Sequence, residues 1–272
     1  MKLQLGLIVG LSENVVDSFQ LLAQVGVPTC HLACWQPAIL NESLAKKVLA
    51  AQREIHVTPS TFWAGHSGAA VWNFLQGPAT IGLVPPATRA ARLSELKRGA
   101  DFATSIGAPS ITTHVGFIPE DPNDPNYAPL IETLKDLAQY CRQRDLAFMF
   151  ETGQETPVTL LRTIEDIGTD NLGINLDPAN LILYGKANPV DALDVFGKYV
   201  LGMHAKDGHY PTNGRELGQE ASLGEGRVDF KTLFLKLKAL GFKGPVTIER
   251  EISGEQQIAD IKKAMQVLEP LL

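Results

Sequence analysis

The chain has 272 residues, of which 44% are hydrophobic and 20% charged, a composition that supports one sizeable core. Its 24 basic and 30 acidic side chains leave a net charge of −6. That balance excludes a general nucleic-acid binder, which needs a basic surface to displace counterions, and offers nothing to an anionic membrane. From the N-terminus, Leu3–Val9 reads as a strand and Val15–Val25 as a helix, with Val15, Val16, Phe19, Leu22 and Ala23 on one face. Thr29–Trp35 reads as a strand, followed by a helix over Glu42–Glu54 that Asn41 caps. Val57–Trp63 is the third strand, and the helix after it opens near Pro86 and stops at Gly107. Strand and helix then alternate: Ser110–His114 with Pro129–Arg144, and Ala147–Glu151 with Pro157–Ile167. Leu172–Asp177 precedes Pro189–Tyr199, Val200–His204 precedes Phe230–Leu240, and Val246–Glu249 precedes Glu255–Leu272.

Such alternation implies parallel strands with helical crossovers. An open doubly wound sheet would alternate in the same way. However, no strand runs through a GxGxxG turn into a helix, and polar strand ends are spread over at least five strands. A closed barrel points all its strand ends at one pocket, and an open sheet does not. The expected fold is an α/β (β/α)₈ TIM barrel forming one domain over residues 1–272, since such a barrel uses about 250 residues. Cys30, Cys34 and Cys141 lack CxxC spacing, so they read as buried thiols rather than a disulfide framework. The N-terminal run shows neither a signal-peptide pattern nor a span-length apolar stretch, so a cytoplasmic location is expected. Two loops exceed ordinary lengths. Ala64–Pro85 holds His66, Trp72 and Phe74, and Gly208–Val228 holds His209, Tyr210, Arg215 and Glu225. Both would sit over a barrel mouth as lids, while Trp72 and Phe74 could equally pack the loop down or meet a second copy in a homo-oligomer.

The chemistry gathers where four consecutive strands end. Phe150-Glu151, Leu176-Asp177, Met203-His204 and Ile248-Glu249 each finish an apolar run in a potential metal ligand. A charge at the end of a buried strand is costly unless paired or metal-bound. Three carboxylates and an imidazole suit one divalent ion, Mn²⁺, Mg²⁺, Co²⁺ or Zn²⁺, with positions left for substrate. The competing reading is a salt-bridge network, but three acids need about three cations, and only Lys206 and Arg250 lie nearby in sequence.

These segments resemble the sugar isomerases and epimerases with a xylose-isomerase-like barrel. The resemblance rests on Phe150-Glu151-Thr152-Gly153-Gln154-Glu155, Asp177-Pro178-Ala179-Asn180 and His204-Ala205-Lys206-Asp207, together with Leu223-Gly224-Glu225-Gly226 and Thr247-Ile248-Glu249-Arg250-Glu251. It implies that Glu151, Asp177, His204 and Glu249 bind one divalent metal, and that Glu151 and Glu249 form the acid/base pair. Proton transfer would pass through a metal-stabilised enediolate. A C–H beside a carbonyl becomes acidic when the enolate oxygen is stabilised, which a Lewis acid can do. Two positions depart from the ketose epimerases of the family. Their histidine three residues after the strand-six aspartate is Asn180 here, and where they place a second glutamate stands Pro157, with Glu155 the nearest acid. Those positions contact substrate in the family, which puts the known ketose substrates in doubt here.

Further candidates for a small sugar-like substrate are His114 at the end of strand four, Lys206, and Trp35 and Trp63 at the ends of strands two and three. Lys206 fits the role of neutralising the acids slightly better than that of holding an anionic substrate group. Gly224-Glu225-Gly226-Arg227 could cradle a phosphate. His31 and His56 read as structural, and nothing is assigned to His66 or His209. The alternatives that use the same barrel are a metal-dependent dehydratase or lyase acting on a polyol-derived ketone, and a non-catalytic ligand-binding barrel. A three-zinc endonuclease is disfavoured because Asn180 replaces a ligand histidine and the charge is acidic.

Overall fold

A computed structural model describes residues 2–272. Its strands are β1 (Leu5–Gly10), β2 (Thr29–Cys34), β3 (Thr58–Ala64), β4 (Ser110–Thr113), β5 (Ala147–Glu151), β6 (Leu172–Leu176) and β7 (Val200–Ala205). A small hairpin of β8 (Asp207–Gly208) and β9 (Glu220–Ala221) precedes β10 (Val246–Ile248). All but the hairpin join in one closed parallel barrel, in the order β1-β10-β7-β6-β5-β4-β3-β2. The helices between them are α1 (Val16–Val25), α2 (Glu42–Ile55), α3 (Gly77–Thr80), α4 (Pro86–Ser105) and α5 (Tyr127–Arg142). They continue with α6 (Pro157–Ile167), α7 (Pro178–Leu183), α8 (Pro189–Phe196), α9 (Phe230–Ala239) and α10 (Glu255–Leu268). Among the described residues no helix is long and apolar enough to cross a membrane.

The expected strands and principal helices all form, with ends displaced by one or two residues in most cases. Local chemistry sets several of these boundaries. Asn41 caps α2 by accepting the Leu44 N–H at 3.0 Å. Gly26 and Gly168 end α1 and α6 in the left-handed conformation. Three elements escape the sequence reading, namely α3, α7 and the β8–β9 hairpin. All are short, and α3 lies in a segment read as a loop.

Side chains alternate across the strands with a period of two, and this separates two environments. Leu7, Leu32, Phe62, Ile111, Phe148, Phe150, Ile174 and Met203 are buried on the face covered by helices, where they form the main apolar core. The other face lines the barrel and is unusually polar. Thr61 bridges to Ser110 at 2.7 Å and to Thr112 at 3.0 Å, while His31, Asn175, His204 and Thr247 are fully buried nearby along this face. A barrel interior usually fills with branched apolar residues. Here it holds hydroxyls and imidazoles that lead up to the charged strand ends.

Candidate metal centre and active site

Register brings the four strand-end groups together. Glu151 lies opposite Asn175, two residues before Asp177, and His204 lies opposite Thr247, two before Glu249. With a period of two, all four side chains point to the barrel axis. One ligand atom from each of Glu151, Asp177, His204 and Glu249 lies within 4.8 Å of all the others. His204 Nδ1 is 3.0 Å from Glu151 Oε1, 3.0 Å from Glu249 Oε2 and 4.0 Å from Asp177 Oδ2.

Supports fix three of the four ligands. Trp63 donates its indole N–H to Glu151 Oε2. Asp177 is the N-cap of α7, and its Oδ1 accepts the Asn180 N–H at 2.9 Å. Thr152 locks the approach: its hydroxyl accepts the Asp177 N–H at 2.8 Å and donates to the Asp177 carbonyl at 2.9 Å. Behind His204, Nε2 lies 2.8 Å from Nδ1 of His31, and both rings are fully buried.

Burial disfavours charge on every one of these groups, and the neighbours decide the outcome. At His204 the Glu151 and Glu249 carboxylates outweigh burial and hold the imidazolium well above the usual histidine range. At Glu249 burial is outweighed by Lys206 and His204, which hold the carboxyl well below its usual range. Glu151 is lowered too, against burial, by His204 and His114. Asp177 goes the other way: burial, reinforced by the Glu249 charge, pushes it well up despite Lys206.

The residues present suit a metal ion. Asp177 Oδ2 is buried without a hydrogen-bond partner, which is costly for a carboxylate oxygen, and it belongs to the cluster. Oxygen and imidazole donors are the set that hard and borderline divalent ions take.

Above the cluster opens a cavity of about 350 Å³ lined by Trp35, Trp63, Trp72, His114, Asn180 and Tyr184, among others. Of the four cluster residues, Glu151 and Glu249 line it, whereas Asp177 and His204 are wholly buried. His114 Nε2 stands 3.7 Å from Glu151 Oε1. Trp35 packs against Trp63 in a tilted arrangement with centroids 4.7 Å apart and meets Trp72 edge-on at 5.9 Å. Trp35, Trp63, His114 and Asn180 therefore stand where the sequence put them, around one pocket.

Lys206 and Glu155 do not line this cavity. Lys206 is buried and drawn inward by acids, with Nζ 3.0 Å from Glu251, 3.4 Å from Glu249 and 3.6 Å from Asp177. It neutralises the cluster. Glu155 is buried, and burial pushes its carboxyl up to about 8. Arg250 lines the cavity, yet Glu220 at 2.9 Å and Asp260 at 2.7 Å hold its guanidinium. The glycine loop read as a phosphate cradle is filled from within. Asp207 Oδ2 accepts the N–H groups of Gly224 at 3.0 Å and Gly226 at 2.9 Å, and its Oδ1 accepts that of Val228 at 3.0 Å.

Sequence reasoning missed the position of His31. Nothing in a mid-strand histidine distinguishes one that backs a ligand from one that packs a core. His66 is structural, accepting the Gly82 N–H at 3.3 Å on Nε2.

A profile of the family described as xylose isomerase-like TIM barrel matches residues 19–271. The chain is 26% identical over 188 residues to an uncharacterized protein of Methanocaldococcus jannaschii, spanning 65% of this chain and 61% of the length of that curated relative. Among solved structures, a xylose isomerase domain protein from Planctomyces limnophilus is 33% identical, covers 99% of this chain and 96% of its own, and superposes with a TM-score of 0.90. A D-allulose 3-epimerase from Methylomonas sp. in complex with D-allulose has a TM-score of 0.75 at 16% identity, covering 100% of this chain and 98% of its own, and that similarity speaks to the fold alone.

Proposed function

Because the chain belongs to the xylose isomerase-like TIM barrel family, we propose that it is a divalent-metal-dependent isomerase or epimerase of a sugar or related hydroxy-carbonyl compound. The observation that carries this reading is the ligand cluster, four donor atoms within 4.8 Å, two of whose carboxylates line a cavity. Glu151, Asp177, His204 and Glu249 are the residues that would hold the ion. Such an ion supplies Lewis-acid polarisation of a substrate carbonyl, which acidifies the C–H beside it.

The chain's own residues do the rest. Glu151 and Glu249 form the proton-transfer pair: one carboxylate takes the proton from carbon, and a proton returns to carbon from the pair. Return to the opposite face gives epimerisation, and return to the neighbouring carbon gives aldose–ketose isomerisation. The Trp63 indole N–H holds one oxygen of Glu151 and so fixes the orientation of the carboxylate. Lys206 keeps Glu249 ionised. His114 and Asn180 offer hydrogen bonds to substrate hydroxyls from the cavity wall.

The test combines metal content with isotope exchange. After incubation with Mn²⁺ or Zn²⁺ and removal of excess, elemental mass spectrometry should find about one ion per chain, and none in His204→Ala. With D-allulose, D-fructose and D-tagatose in D₂O, the wild type should place deuterium on carbon. Glu151→Gln should lower that rate by at least about a hundredfold, the usual contribution of a positioned acid or base. Absence of bound metal, or undiminished exchange in Glu151→Gln, would sink the reading.

A further inference from the structure

Resting on that reading, we infer that the substrate is an uncharged carbohydrate, without phosphate or carboxylate, that sets its C–H groups against the exposed rings of Trp35 and Trp72. Barrels of this kind commonly bind phosphate with the loops after the last two strands. In this chain the corresponding donors are spent. Gly224, Gly226 and Val228 give their N–H groups to the Asp207 carboxylate, which sits where an anion would. The fit is tight, since a Cβ added at Gly226 would stand 2.1 Å from Asp207 Oδ1. An incoming phosphate would find neither free donors nor space, and would face a like charge.

Arg250 is the lysine or arginine that lines the cavity among the described residues, and both of its partners are carboxylates. Lys206 is shared among Asp177, Glu249 and Glu251. Glu251, whose side chain is 61% exposed, stands on the rim and repels anions from there.

The opposite wall is aromatic. Trp35 and Trp72 are 42% and 40% exposed despite their size. Trp72 also meets His114 edge-on with centroids 5.1 Å apart, so the rings continue into the cavity. An aromatic surface facing a floor of hydrogen-bonding and ionised groups matches a sugar ring, which has an apolar face and a hydroxyl edge.

Isothermal titration of the full chain with excess Mg²⁺ tests this, using D-fructose, D-fructose 6-phosphate and inorganic phosphate as probes. The ester should bind at least tenfold more weakly than the free ketose, and inorganic phosphate should give no saturable heat. An ester that binds as tightly as the ketose, or saturable phosphate binding that the ester displaces, overturns the inference. Asp207→Ala supplies a second arm once circular dichroism shows that it folds. It should acquire the phosphate binding that the wild type lacks, and a folded variant that still ignores phosphate removes the argument from the loop. Preference for the ester with metal content and deuterium exchange intact would refute the uncharged substrate alone, whereas loss of metal and exchange would refute the enzyme reading beneath it.

Discussion

His31 is a plain mid-strand histidine until the barrel closes. Then it stands across the axis from His204, with nitrogens 2.8 Å apart. Burial, helped by the His204 charge, keeps it well below the usual histidine range, so it is neutral and can accept the His204 Nε2 proton. That leaves His204 Nδ1 turned toward the carboxylates. Outer partners of this kind are worth about 10–100-fold in metal affinity. His31→Phe should weaken Mn²⁺ binding by that amount in a competition titration, and His31→Gln, which keeps an acceptor, should recover part of it. Equal affinity in the wild type and His31→Phe would leave His31 a packing residue.

Glu155 supplies a test of a different kind. Burial raises its carboxyl from 4.5 to about 8. Between those values the folded chain holds a proton that the unfolded chain releases, so stability falls as pH rises through that window and levels off above it. The slope from this one group approaches about 1.4 kcal/mol per pH unit. Urea unfolding of Glu155→Gln should match the wild type near pH 5 and exceed it near pH 8. Parallel pH profiles for the two chains would contradict the shift.

At the scale of elements, the loop between β3 and α4 is fastened to the end of β4 at one narrow point. Leu83 N–H bonds to the Val115 carbonyl at 2.7 Å, and Gly82, at φ +68°, leaves no room for a side chain. A Cβ there would stand 2.0 Å from Val115 O. Gly82→Ala should lower unfolding free energy by about 1–3 kcal/mol, the range for overpacking. It should also weaken ligand binding, because Trp72 rides on the same loop; unchanged thermal stability would mean that the loop relaxes freely. Most of the principal helices and barrel strands were legible from their apolar period, and some helices from a cap as well, such as Asn41 or Gly168. The short elements were not. α7 starts directly from Asp177, so its six residues look like the tail of a strand and a loop. The β8–β9 hairpin has two residues per strand, too few for any periodicity.

For the whole molecule, closure converts local signals into a site. Glu151, Asp177, His204 and Glu249 could be picked out from the sequence because each ends an apolar run, and a parallel barrel places every such end at one mouth. Trp35, Trp63 and His114 followed from the same rule. Contacts across the axis could not be read. The pairing of His31 with His204 spans 173 positions, and the fate of the glycine loop depended on where Asp207 points. Lys206 and Glu155 lie close to the site in sequence but are buried out of the cavity, a distinction that side-chain period alone does not draw.

The contact of Trp35 with Trp63 and Trp72 has a practical corollary. The chain contains three tryptophans, and these are the three. Its entire indole emission therefore originates at the mouth of the barrel, with Trp63 bonded directly to Glu151. The unmodified protein is its own optical reporter: a quench or spectral shift on adding an ion or a sugar reads the site itself, with no distant fluorophore to dilute the signal.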